Sequence, residues 1–120
     1  MATAQRILDL DDVKLAASIV GGRWKTTLLA HLALGPVRFL ALQRAVGGIS
    51  SKVLAEQLRE LEADGLVTRA VHRSVPPAVV YAVTPHADGL CEVVASLARW
   101  GRRHRAHLAG RTDRAGARRR

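Results

Sequence analysis

A mainly α-helical domain carrying one small β-hairpin is the fold class this sequence predicts, on three observations. Apolar residues recur at helical spacing from Val13 to Leu61 and again after Thr84. Between Leu66 and Val83 the period drops to two, interrupted by Val75-Pro76-Pro77-Ala78. Glycines, prolines and a serine fall at the joints between these stretches, where the chain must break or turn. At 120 residues the chain suits a single domain with one modest core. Aromatic residues make up only 3% of it, so that core must be aliphatic, built from Leu, Val and Ala.

Val13, Ala16, Ala17 and Val20 predict a short first helix that ends at Gly21-Gly22, where glycine can take the left-handed conformation that stops helices. A second helix is expected from about Lys25, closed by Gly35-Pro36, since proline forbids continuation. Phe39, Leu42 and Val46 share one face of a third helix, broken at Gly47-Gly48. A fourth starts after Ser50, whose hydroxyl suits an N-cap, and runs to Gly65 with Leu54, Leu58 and Leu61 as a core-facing stripe. Leu66 to Arg73 then alternates as a strand, with Leu66, Thr68, Ala70 and His72 on one face and Val67, Arg69, Val71 and Arg73 on the other. The prolines at 76 and 77 cannot donate ladder bonds and make a loop, and Val79 to Val83 returns as the second strand. Thr84-Pro85 pairs an N-cap with a proline at the first helical position and opens a long last helix through Leu90, Val93, Val94, Leu97 and Trp100. Two helices joined by a tight glycine turn and followed by a hairpin describe a winged helix-turn-helix.

In that arrangement the fourth helix is the reading helix of a DNA-binding unit. With the leucine stripe turned inward, about 100° per residue places Lys52, Ala55, Glu56 and Arg59 outward. Residues near the start of such a helix reach base edges in the major groove, while phosphate contacts fix its register. Ser51, Lys52, Ala55 and Arg59 are therefore the candidates for the groove, with Ser50 and the free first-turn amides suited to a phosphate. Glu56 would repel a phosphate unless it accepts from a cytosine amino group or pairs with Lys52. Arg23, Lys25 and Arg38 are candidates for the DNA backbone, and His72 and Arg73 for the phosphates beside the hairpin. The same outward charges also fit a merely solvated face, and Arg69 and Arg73 fit edge-strand protection against aggregation.

The net charge of +9 is unevenly spread. From Arg102 onward eight Arg face one acid, Asp113, leaving +7 there and +2 in residues 1–101. So charged and apolar-poor a segment predicts a disordered basic tail over residues 110–120, following a folded unit over 1–109. Such a tail would attract any polyanion without choosing a sequence, raising affinity for all DNA and its salt dependence.

Several separate stretches also carry a family resemblance: GG-R-W-K, R-F-x-x-L, G-I-S-x-K-x-L, L-R-E-L-E-x-D-G-L-V, V-P-P, Y-x-V-T and the Trp100-Gly101 pair. In this order, from Val13 to Gly101, the chain resembles the HxlR-type winged-helix transcriptional regulators of bacteria. The resemblance implies a homodimeric DNA-binding repressor or activator related to MarR regulators, joined through its first and last helices and bound to a near-palindromic operator. Val13 and Ala17 of the first helix, and Leu90, Val94, Leu97 and Trp100 of the last, are then expected at the dimer contact. The stripe on the last helix is broader than one small monomer needs, although it could also simply close the monomer core. Three departures stand out. Many family members carry a sensing cysteine just ahead of the first helix, where this chain has Asp11, which excludes thiol sensing at that position. Ala78 and Val80 replace the usual basic and acidic residues after the wing prolines, leaving charge there to His72 or Arg73. Thr84-Pro85-His86 opens the last helix where the family commonly has a Thr-Glu-Lys-Gly type start.

Other chemistries find little support. The single thiol, Cys91, rules out an intrachain disulfide or cysteine zinc cluster, and its apolar neighbours mark a buried structural cysteine. The five histidines show no HxxxH or His-Cys ligand spacing, so neither metal nor cofactor is expected. Ser50 and Ser51 sit at a helix start rather than a nucleophile elbow, and no other catalytic constellation appears, which argues against an enzyme. No run of about 18 apolar residues predicts a membrane span, and the first residues lack the order of a secretion signal, so a cytoplasmic, nucleoid-associated place is expected. RNA recognition would need exposed stacking aromatics, and Phe39, Tyr81 and Trp100 read as buried. The expected partners are double-stranded DNA, a second copy and a small-molecule effector of unassigned chemistry; the competing class is a winged-helix module that contacts another protein.

Overall fold

Residues 9–118 are described by a computed structural model. The first helix, α1 (Leu10–Val20), starts where Asp9 turns its carboxylate back onto the amides of Asp11 and Asp12, at 3.0 and 3.3 Å. It ends at Gly21, which is right-handed at φ −81°, not left-handed as expected. Glycine is required there for another reason: a Cβ would lie 2.8 Å from the Ala17 carbonyl oxygen. Thr26 then donates its hydroxyl to the Val20 carbonyl at 3.0 Å, stitching α2 (Lys25–Leu32) to the end of α1.

A two-residue strand, β1 (Val37–Arg38), precedes α3 (Phe39–Val46) and was not foreseen. Gly47 and Gly48 follow with positive φ of 71° and 67°, backbone that a side chain at either position would strain. It delivers the chain into α4 (Ser51–Ala63). At the far end of α4 the Leu66 amide bonds the Leu61 carbonyl and the Gly65 amide bonds Glu62, the paired closure that a left-handed glycine allows. Strands β2 (Val67–His72) and β3 (Ala78–Val83) pair antiparallel from Val67↔Val83 to His72↔Ala78, and β1 joins the other edge of β3 through Val37↔Tyr81. The sheet order is thus β1-β3-β2. Burial along β2 ends at Val67, so β2 is the exposed edge of the wing, while β3 keeps Ala78 and Tyr81 buried against the body.

The core is aliphatic, as the composition required. Leu28 and Leu32 of α2, Leu42 of α3, the stripe Leu54, Leu58 and Leu61 of α4, and Val67 of β2 are all sealed from solvent. Phe39 meets Tyr81 with ring centroids 6.4 Å apart, tying α3 to the sheet.

The last helix, α5 (Pro85–Arg118), runs on through residues 110–118, where a disordered tail is the expectation from charge; Arg119 and Arg120 lie outside the described residues. The charge argument overlooked that Ala and Arg are strong helix formers and that the stretch contains no proline to stop the ladder. At 34 residues α5 is about 50 Å long, at about 1.5 Å per residue. Its first half packs on the body through buried Ala87 and half-buried Leu90, Cys91 and Val94, while past Gly101 every described side chain is exposed. Trp100, expected inside, is 56% exposed.

Candidate nucleic-acid interface

The start of α4 is fixed from two sides. Ser50 adopts an extended backbone and its hydroxyl accepts the Val53 amide at 3.1 Å, which satisfies one of the unpaired first-turn donors. From α3, Gln43 donates its amide to the Ile49 carbonyl at 3.1 Å and shares a further bond with the Ser51 hydroxyl at 3.2 Å. Gln43 thus clasps the turn between the two helices. Sequence reasoning missed it, because a glutamine on a short amphipathic helix looks solvated until the turn folds back over it. Replacing Ser50 by alanine is expected to cost about 1 kcal/mol, within the range for lost N-caps, read as a lower urea midpoint at unchanged slope.

With Leu54, Leu58 and Leu61 sealed inward, Ser51, Lys52 and Arg59 stand exposed on the outside of α4. Ala55 and Glu56, expected to share that outer face, are half-buried. Arg59 rests its Nε on the Ala55 carbonyl of its own helix at 3.4 Å. Lys25 departs most from expectation: its ammonium is paired with Glu60 at 2.9 Å and its side chain is 17% exposed. It fastens α2 to α4 rather than offering a charge outward. This is the one ion pair among the described residues, so Lys52, Arg59 and the wing cations have no carboxylate partner there.

Around α4 the other candidates are distributed at the edges. Arg23 is exposed with its guanidinium 4.6 Å from the Trp24 ring centroid. Arg38 is exposed at the junction of β1 and α3, where it borders an open cleft of about 390 Å3 against Pro76, Pro77 and Ala78 of the wing. The cleft also takes in Arg44, which the sequence reading did not single out although its spacing from Arg38 puts both near the start and end of α3. Arg69, His72 and Arg73 are exposed on the wing, whose loop is braced by the Ser74 hydroxyl donating to the Pro76 carbonyl at 2.7 Å. The face therefore combines a fixed helix start, a cationic outer side and an exposed basic strand, the combination that fits duplex DNA.

A scan against family models matches residues 19–108 to the HxlR-like helix-turn-helix model. The chain belongs to the HxlR-like helix-turn-helix family. Among its relatives, YtcD of Bacillus subtilis, an uncharacterized HTH-type transcriptional regulator, is 38% identical over 100 residues, covering 83% of this chain and 79% of its own. A crystal structure of a transcriptional regulator of the MarR family from Enterococcus faecalis is similar at a TM-score of 0.77 and 38% identity, over 82% of this chain and 90% of that one. The reduced form of the regulator YodB from B. subtilis is similar at 0.70 and 34% identity, over 74% and 87%. The HxlR-like chain is accordingly a transcriptional regulator with a helix-turn-helix DNA-binding fold.

The residues expected at a dimer contact fall into two groups. Val13 and Ala17 on α1, and Leu97 and Trp100 on α5, are exposed, whereas Leu90 and Val94 are half-buried against the chain's own body. Val94 and Cys91 instead line an apolar cavity of about 230 Å3 between α2 and α5, together with Leu29 and Ala98. Among the described residues no cluster of three or more His, Cys, Asp or Glu could hold a metal, and no helix is long and apolar enough to cross a membrane.

Proposed function

We propose that this chain acts as a homodimer that recognises a near-palindromic operator in double-stranded DNA, working in the cytoplasm and without catalysis. One observation carries the reading: α4 has its leucine face sealed in the core, its start pinned by Ser50 and Gln43, and Ser51, Lys52 and Arg59 exposed outward, the two cations without a carboxylate partner among the described residues. In this reading Lys52 and Arg59 meet base edges in the major groove. Arg23, Arg38 and Arg44 lie along phosphates, and the wing from His72 to Val79 follows the backbone beside them. Support for a pair of such helices comes from the exposed apolar residues on α1 and α5, which a solitary chain leaves in water. Two-fold symmetry then sets half-site centres about 10 base pairs, or a multiple, apart. The apolar cavity between α2 and α5 is the space that the fold offers to a small apolar effector.

Selection of bound duplexes from a random pool, followed by gel shift at near-physiological salt, tests this. An enriched inverted repeat with that spacing is expected. A pool that stays flat, with only salt-labile retention, would favour a winged-helix module whose faces contact another protein.

A further inference from the structure

Past Gly101 the last helix continues as an arm with nothing of its own chain around it. Arg102, Arg103, Arg105, Arg111 and Arg114 are all exposed there, and Asp113 is the one acid among the described residues of the arm. None of the five has a carboxylate partner among the described residues. Arg102 with Arg105, and Arg111 with Arg114, stand three residues apart, a spacing at which like charges repel along a helix. Arg111 and Arg114 also lie beyond residues 19–108, the stretch that matches the family model.

The arginines form two rows. At about 100° per residue Arg103, Arg111 and Arg114 fall within about 80° of one another and Arg102 and Arg105 within about 60°, and the rows are centred about 170° apart. His104, Leu108 and Thr112 lie between the rows on one side, a face without an acid, while Asp113 lies about 140° round from it. That face is ordered: His104 stacks on Trp100 with ring centroids 4.8 Å apart, and the Thr112 hydroxyl donates to the Leu108 carbonyl at 3.1 Å. A helix with its side chains is about 10–12 Å across and the major groove of B-DNA about 12 Å wide. Cations on opposite sides of such a helix meet both phosphate walls, as its acid-free face turns to the groove floor. Arg102 to Arg118 spans about 26 Å, or about seven base pairs at about 3.4 Å each. A lone leucine between arginine rows is too little apolar surface to lie on a bilayer.

The arm also starts away from the face that α4 presents. Thr84, at the root of α5, bonds Gly65 and Leu66 at the end of α4 opposite Ser51. Further along, α2 stands between the two helices. Its Lys25, Leu28 and Leu32 turn to α4 and the core, whereas Thr26 and Ala30, about 140° round the same helix, line the cavity against α5.

We propose that the arm lies in the major groove of a second DNA duplex, gripping phosphates without choosing a sequence, so that the protein bridges two DNA segments. Only the first duplex, on α4, rests on the operator reading given above.

Two measurements on the full chain test this with a random-sequence duplex of about 30 base pairs, or three helical turns. One is capture of the labelled duplex by protein loaded on the same duplex fixed to beads. The other is anisotropy across a salt series. Wild-type protein should capture the second duplex. Arg103→Ala, Arg105→Ala and Arg111→Ala together should cut capture by about tenfold and lower the salt slope by about 0.9 per arginine, while alanine preserves the helix. In a chain already carrying Lys52→Ala and Arg59→Ala, duplex binding should persist and then disappear when the arm substitutions are added. Wild-type protein that captures no second duplex overturns the bridge, and so does capture that ignores the arm substitutions. A single strand of equal length that competes as well as the duplex overturns docking in the groove. A footprint on one duplex that shortens in the arm variant, without any capture of a second, puts the arm on flanking DNA and also overturns the bridge. Because the duplex has random sequence, a flat operator selection sinks the earlier reading without changing these results.

Discussion

Lys52→Ala combined with Arg59→Ala is expected to erase most of the preference of this regulator for its operator over scrambled DNA. Direct base contacts contribute about 1–3 kcal/mol of discrimination each, so two of them account for about 2–6 kcal/mol of a specificity range of about 4–10 kcal/mol. The fold should not suffer. Both side chains are exposed, neither has a carboxylate partner among the described residues, and the one hydrogen bond of Arg59 goes to a carbonyl of its own helix. Fluorescence anisotropy on operator and scrambled duplexes at one fixed salt concentration is the measurement. Unchanged discrimination would remove these residues from the groove. A parallel loss on both duplexes, with the salt slope falling by about one per side chain, would move them to the phosphates.

Leu58→Ala is the second large effect, and it acts on stability. Leu58 is 1% exposed in the middle of the stripe that seats α4. Truncating such a leucine costs about 2–5 kcal/mol once the cavity is included, against a total of about 5–15 kcal/mol for an ordinary domain. Urea unfolding should show the loss directly, and DNA binding should fall with the folded fraction. Leu40→Ala supplies the contrast: that leucine is 64% exposed on α3, and its removal should shift stability by no more than about 0.5 kcal/mol. Equal losses at the two positions would mean that the leucine stripe does not hold α4 in place.

Much of this architecture was legible from the residues because local signals agreed with the tertiary result. The Ser50 cap, the Gly47-Gly48 turn, the leucine stripe of α4, the hairpin and the Thr84-Pro85 helix start all appear where spacing and backbone chemistry put them. What stayed hidden depended on partners distant in sequence. The strand β1 exists only because Val37 and Arg38 pair with Tyr81 and Val80, more than forty residues on. Lys25 reads as a free cation until α4 brings Glu60 within 2.9 Å. Gln43 acquires its role only when the turn after α3 folds back. Trp100 was placed inside on its apolar character, yet one chain alone offers nothing to cover it. Past Gly110 charge composition and helix propensity pull in opposite directions, and the helix continues to Arg118.

At the root of α5, Thr84 grips the other end of α4. Its hydroxyl donates to the Gly65 carbonyl at 2.6 Å and its amide to the Leu66 carbonyl at 3.0 Å, just where α4 gives way to β2. Such a joint has little slack. In a dimer held by the long helices, any change in the angle at which they cross would swing the two α4 helices with them and alter the groove-to-groove distance they can span. On the dimeric, operator-binding function proposed above, a molecule wedged beside α5 would release the DNA without touching α4.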